Sequence, residues 1–144
     1  MRVRAFIVAA FLALSSCALG QQSASVLQGA FTASAGPGMF RGKWSAQIAE
    51  RTPNAASGSW ILLNERNDVV LQGTWLARKS AAGWEGTWHA RVRRGRAYSG
   101  TWAASEPGPG KTFAEMLQSA THGSAAGTWR SQGYGGNWRL RPSP

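Results

Sequence analysis

The stretch WEGTWHARVR, at residues 84–93, alternates strictly between two kinds of side chain. Charged, hydroxyl-bearing and imidazole side chains occupy every second position, starting from Glu85. The positions between them are glycine or apolar, namely Trp84, Gly86, Trp88, Ala90 and Val92. A period of two residues is typical of a β-strand with one buried and one solvated face. The stretch therefore predicts a strand whose tryptophans point into a core.

The Gly-x-Trp unit of this strand recurs along the chain. Its tryptophans are Trp44, Trp60, Trp75, Trp88, Trp102, Trp129 and Trp138. The segment LQGAF, which ends at Phe31, is an eighth copy with phenylalanine in place of tryptophan. Most copies are 13 to 16 residues apart, which leaves room for one strand and one short turn. Short connections indicate antiparallel neighbours, because a parallel pair needs a longer crossover.

These observations predict an all-β fold: an eight-stranded antiparallel up-and-down meander that closes into a barrel. The eight repeat aromatics form the predicted structural core, and each nearby glycine leaves room for a ring from the adjoining strand. The long connection between the sixth and seventh strands contains TFAEMLQSA, residues 112–120. Its apolar residues Phe113, Met116, Leu117 and Ala120 recur at helical spacing. We expect one short helix there, closing one end of the barrel.

The first twenty residues have the character of an export signal, with Arg2 and Arg4 ahead of an apolar run. Two endings are open. The segment LSSC resembles the bacterial lipobox, which implies that Cys17 is lipidated and anchors an outer membrane lipoprotein. Cleavage after Gly20 would instead release a periplasmic or secreted protein. The predicted organisation is a signal at 1–20, a linker at 21–25 and one barrel domain at 26–144.

The repeat also resembles that of the avidin-type barrels, whose strands carry Gly-Thr-Trp as LQGTW, WEGTW and YSGTW do here. The lipocalins, with their Gly-x-Trp strand, are a more distant resemblance. Both resemblances imply an up-and-down β-barrel. Neither assigns ligand-contacting residues to positions of this chain.

Groups suited to catalysis are scarce, with two histidines and six carboxylates in the chain. Glu85 and His89 share a strand face, but four residues separate their backbones by roughly 13 Å. His122 has no metal-ligand spacing around it. The segment EPGPGKT ends like a phosphate-binding loop, yet Pro107 and Pro109 lack the backbone N–H donors that such a loop uses. The sequence therefore predicts no enzyme, no metal and no cofactor.

Charge is the more informative signal. Beyond residue 20, fourteen Lys and Arg face six acids. The segment RVRRGR concentrates Arg91, Arg93, Arg94 and Arg96 at one predicted hairpin, and Arg139, Arg141, Arg41 and Lys43 face outward on other strands. For an exported protein we expect this arginine-rich hairpin, together with Arg139 and Arg141, to bind anionic glycans, lipopolysaccharide or lipid head groups rather than nucleic acid. The alternative interpretation is a positive surface that only confers solubility.

The tryptophans admit a second functional interpretation. Barrel mouths lined by aromatic side chains are common sites for small ligands. Trp84 lies at the start of its strand, next to a turn, and is the candidate to line such a mouth. On this interpretation the protein carries a small apolar or sugar-like ligand.

Overall fold

The chain folds into a closed β-barrel in the computed structural model, which describes residues 24–49, 51–92, 95–105, 112–121 and 125–141. All neighbouring strands are antiparallel and follow sequence order, and β8 returns to pair with β1. The predicted fold class is confirmed, including the helix between the sixth and seventh strands. The elements are β1 (Ala24–Ala35), β2 (Gly38–Ala49), β3 (Ala55–Leu63), β4 (Val69–Ser80), β5 (Gly83–Arg91), β6 (Ala97–Ala104), α1 (Phe113–Thr121), β7 (Ala126–Ser131) and β8 (Tyr134–Arg141).

The meander gives the barrel two distinct ends. One end, which we call the hairpin end, contains the connections β1–β2, β3–β4, β5–β6 and β7–β8. The other connections, including the segment with α1, lie at the opposite end, together with the start of β1. We call this the helix end. The strand β1 begins at Ala24, two residues before the predicted domain boundary, while Cys17 and the export segment lie outside the described residues.

Within each hairpin, an aromatic ring of each strand packs over a glycine of the other strand. Trp75 of β4 lies over Gly58 of β3, and Trp60 of β3 lies over Gly73 of β4. A Cβ at position 58 would lie 2.5 Å from Trp75 Cζ2, so a side chain there would displace the indole. The barrel is thus four copies of one hairpin, with these further pairs: Phe31 over Gly42, Trp44 over Gly29, Trp88 over Gly100, Trp102 over Gly86, Trp129 over Gly136 and Trp138 over Gly127.

These eight aromatic side chains form two layers across the barrel interior. The layer nearer the helix end contains Trp44, Trp75, Trp102 and Trp138, and the layer nearer the hairpin end contains Phe31, Trp60, Trp88 and Trp129. Four pairs of rings within the layers meet edge to face, with centroid distances of 6.0 to 6.2 Å: Trp60–Trp88, Trp88–Trp129, Trp75–Trp102 and Trp102–Trp138. This arrangement favours aromatic pairs beyond simple burial.

Small residues line the helix end and leave space for α1. The next inward positions beyond the tryptophan layer include Ala46, Ala56 and Ala77, which are all buried. Into this space α1 inserts Phe113, Met116 and Leu117, each at most 4% exposed. The helix therefore closes this end, as the sequence predicts.

A capping box fixes the start of α1. The backbone N–H of Glu115 donates to Thr112 Oγ1 at 3.2 Å, and the backbone N–H of Thr112 donates to Glu115 Oε2 at 2.7 Å. Each bond satisfies a donor that the first helical turn leaves unpaired. Thr112 of the GKT segment thus serves as a helix cap, while residues 106–111 lie outside the described residues.

Candidate binding surfaces

The predicted mouth beside Trp84 is closed. Trp84 lies at the helix end, but it is only 4% exposed, and its ring centroid is 4.7 Å from that of Phe113. Phe113 also contacts Trp75, with centroids 5.4 Å apart. The sequence placed Trp84 correctly next to a turn, but the docking of α1 over it depends on tertiary packing. Trp84 therefore belongs to the core and does not line an opening.

The indole N–H groups are largely used by the barrel itself. Trp75 Nε1 donates to Ser45 O at 3.2 Å and Trp102 Nε1 to Leu76 O at 3.1 Å, each reaching across the intervening strand. Trp129, Trp44 and Trp138 also donate to backbone carbonyls. Among the described side chains, Trp88 Nε1 is buried and has no hydrogen-bond partner. The indoles of the layers thus link the strands by hydrogen bonds.

Closure of the barrel brings four cations together around β1. Arg41 of β2 and Arg139 of β8 both pair with Thr32, one on each side. Lys43 and Arg141 flank Ala30 in the same way. Strands lie about 4.8 Å apart, so the two cationic strands are separated by about 10 Å. We call these four exposed side chains, Arg41, Lys43, Arg139 and Arg141, the β1 patch.

The β1 patch lies on strands without acidic residues, and one of its side chains is held in place. The strands β1, β2 and β8 contain no acidic residue. Arg41 Nη2 donates to the backbone carbonyls of Asn64 and Glu65, both at 3.0 Å, which orients one guanidinium. Four like charges within about one Debye length create a positive potential that attracts anions.

The arginines of the predicted RVRRGR cluster lie elsewhere. Arg91 ends β5 and Arg96 precedes β6, and both are exposed. In an eight-stranded ring β5 is four strands from β1 in either direction, so these arginines lie on the opposite wall from the β1 patch. Arg93 and Arg94 lie outside the described residues. The sequence analysis assigned these arginines to polyanion binding together with Arg139 and Arg141, and the fold separates Arg91 and Arg96 from that pair.

The residues considered for catalysis do not converge. Glu85 Oε1 lies 3.7 Å from Arg78 Nη2 in an exposed ion pair. His89 is exposed and pairs across the sheet with Thr74 and Ser99. Among the described residues there is no group of three His, Cys, Asp or Glu side chains able to hold a metal. His122 is outside that part of the chain.

An open groove of about 1020 Å³ has a lining that extends from β2 to β7 and includes no residue of the β1 patch. Alanines, Leu76 and Trp102 line it, together with threonine side chains and the Arg78–Glu85 ion pair. Arg130 adds one further positive charge. Because its charges nearly balance, this groove attracts a polyanion less than the β1 patch does.

The structure also exposes apolar side chains at the hairpin end, which the sequence analysis did not single out. They are Met39, Phe40, Val69, Val70, Val92, Tyr98 and Tyr134, and we call them the apolar tips. A signal was present in the sequence: Met-Phe and Val-Val place apolar residues at consecutive positions, where an alternating strand has one polar residue.

Comparison with known proteins gives no relative for this chain. No family model, no curated protein and no solved structure matches it. A search of the described ranges for a helix long and apolar enough to cross a membrane also finds none.

Proposed function

We propose that this chain is an exported, non-enzymatic protein of the bacterial cell envelope that binds anionic polymers through the β1 patch. Glycans rich in phosphate or carboxylate and lipopolysaccharide have the required charge. Lipidation at Cys17 would keep such a protein at the outer membrane, beside these polymers. The carrying observation is the pairing of Arg41 and Arg139 with opposite sides of Thr32, which places cations on both flanks of β1.

The composition of the patch suits a repeating anion. Arginine presents several N–H donors in a planar fork that matches phosphate and carboxylate groups, and three of the four cations are arginines. The barrel wall holds the backbones of β8 and β2 at a fixed separation, so the charges are preorganised. A polymer lying along β1 would meet cations on both sides.

Retention on immobilised polygalacturonate, an anionic polysaccharide that carries no lipid, measured at increasing salt, tests this proposal. We expect Arg139→Glu with Arg141→Glu to elute at clearly lower salt than the unchanged protein. If both arginines contact anionic groups, the slope of log affinity against log salt falls by about two. The matched control is Arg91→Glu with Arg96→Glu, which changes the net charge equally on the opposite wall.

The control decides between a specific patch and bulk charge. Little change in the control variant, together with a large change in the patch variant, supports the proposal. Equal shifts in both variants would mean that retention follows net charge alone. Unchanged retention of the patch variant would overturn the proposal directly.

A further inference from the structure

Every hairpin at the hairpin end exposes at least one large apolar side chain. Met39 and Phe40 follow the β1–β2 turn, and Tyr134 follows the β7–β8 turn. The β3–β4 and β5–β6 hairpins contribute Val69, Val70, Val92 and Tyr98. Exposed fractions reach 69% for Met39 and 76% for Tyr134. Apolar area so concentrated at one end of a molecule marks an interaction surface.

Two of these hairpins are apolar on both faces of the strand. Phe40 faces inward with Gly42 and Trp44, so its neighbour Met39 faces outward. Val69 and Val70 are likewise consecutive, and both are about half exposed. A small ligand held inside the barrel would contact only the inward members of these pairs. An apolar environment that surrounds the whole tip accounts for both members.

At the helix end of this barrel, the apolar side chains of α1 are covered. There Phe113, Met116 and Leu117 of α1 fill the opening and are themselves buried. Among the described residues no corresponding helix covers the hairpin end. The same barrel thus buries the apolar side chains that α1 brings to one end and exposes those of the hairpin end.

Cations accompany the apolar tips. Arg66 lies in the β3–β4 connection, Arg91 and Arg96 flank the β5–β6 connection, and all three are exposed. In the described part of this end the acids are Glu65 and Asp68. Arg41 adds a fourth positive charge close to the β3–β4 connection. The end as a whole is therefore positive as well as apolar.

We propose that the hairpin end docks on the surface of an anionic lipid bilayer. The apolar tips would enter the boundary between head groups and acyl chains, where such surfaces bury apolar side chains to a depth of about 5–10 Å. Tyrosine suits this boundary because its ring is apolar and its hydroxyl remains hydrated. The arginines would contact anionic head groups while their aliphatic stems lie along the apolar layer.

The charge of the hairpin end favours a bilayer over a second copy of the chain. Two copies that met end to end would bring their net positive surfaces together, at a cost in electrostatic free energy. An anionic bilayer compensates these charges instead. This inference concerns the hairpin end and does not rest on polymer binding by the β1 patch.

Co-sedimentation with vesicles tests the inference. The exported chain would carry Cys17→Ser in every sample, so that no acyl chain contributes. We expect it to bind vesicles of phosphatidylglycerol and phosphatidylcholine more tightly than vesicles of phosphatidylcholine alone. Met39→Asp with Val70→Asp should weaken binding to the anionic vesicles by at least about tenfold, because both exposed side chains lose their place in the apolar layer.

The matched control is Val26→Asp with Leu76→Asp. These side chains are also exposed, at 62% and 56%, but neither belongs to a connection at the hairpin end. The control makes the same change in chemistry and charge, so retained vesicle binding supports insertion of the tips. Equal loss in both variants would overturn the inference, since it would indicate a general charge effect.

Two other outcomes would also overturn the inference. One is a protein that binds no vesicles but self-associates in sedimentation experiments, with the association lost in Met39→Asp with Val70→Asp. The other is a co-purifying small molecule without vesicle binding, which would assign the hairpin end to a soluble ligand.

Discussion

The indole of Trp75 occupies the space that a side chain at Gly58 would need. Trp75 Nε1 continues past this glycine and donates to Ser45 O on the next strand, at 3.2 Å. One tryptophan thus spans three strands, β4, β3 and β2. The same exchange in each hairpin explains why glycine accompanies an aromatic residue in every copy of the repeat: the glycine allows the indole to lie directly on the backbone.

Substitution of Gly58 by alanine tests this packing. The new Cβ would collide with Ser45 O and lie 2.5 Å from Trp75 Cζ2, and the backbone contact has little freedom to relax. We expect Gly58→Ala to lower the free energy of unfolding by about 2 kcal/mol or more, measured by urea denaturation. Gly95→Ala is the control, because among the described residues the nearest atom to its Cβ is Val92 Cβ at 3.8 Å. Equal stability of the two variants would contradict the packing account.

The contribution of the indole N–H can be separated from that of the ring. Trp75→Phe removes the bond to Ser45 O, whereas Trp88→Phe removes an N–H that has no partner. We therefore expect Trp75→Phe to cost about 1 kcal/mol more than Trp88→Phe in the same denaturation experiment. Phe31 occupies the same layer as Trp88, so this layer already accommodates a phenyl ring. A larger loss for Trp88→Phe would show that ring packing outweighs the bond.

Removal of one helix side chain tests whether α1 closes the barrel. Phe113 contacts Trp75, Trp84 and Trp102, and it is 3% exposed. We expect Phe113→Ala to cost about 3 kcal/mol, or to release α1, and to shift tryptophan emission to longer wavelength. Phe40→Ala makes the same change at the hairpin end, where the ring is 43% exposed, and should cost clearly less. Similar costs for the two variants would contradict the closure.

The strand content of the fold was predictable because the repeat carries its own period. Alternation within WEGTWHARVR identifies a strand, and the spacing of the copies excludes long crossovers. The reciprocal exchange of rings and glycines was not predictable from spacing alone, because it depends on register. Which glycine faces Trp75 is known only once β3 and β4 are aligned, with Gly58 opposite Trp75.

The candidate binding surfaces were harder to predict from the sequence than the strands were. The β1 patch exists because β8 pairs with β1. This pairing leaves only β1 between Arg139 on β8 and Arg41 on β2, although about a hundred positions separate the two residues in the sequence. Trp84 was predicted to line a mouth because it lies at a strand end next to a turn. The sequence around it does not indicate that α1 packs over this position. Met39 and Val70 are visible as breaks in alternation, but their exposure depends on which end of the barrel remains uncovered.

The central claim is that aromatic layers fill the barrel, so that binding takes place on its outer surfaces. The most direct test is the tryptophan emission maximum of the folded protein, measured together with quenching by an aqueous quencher. All eight indoles are at least partly buried, and we predict blue-shifted emission that is poorly quenched. Red-shifted emission with a large quenchable fraction would contradict the claim, because it would mean an open interior lined by hydrated indoles.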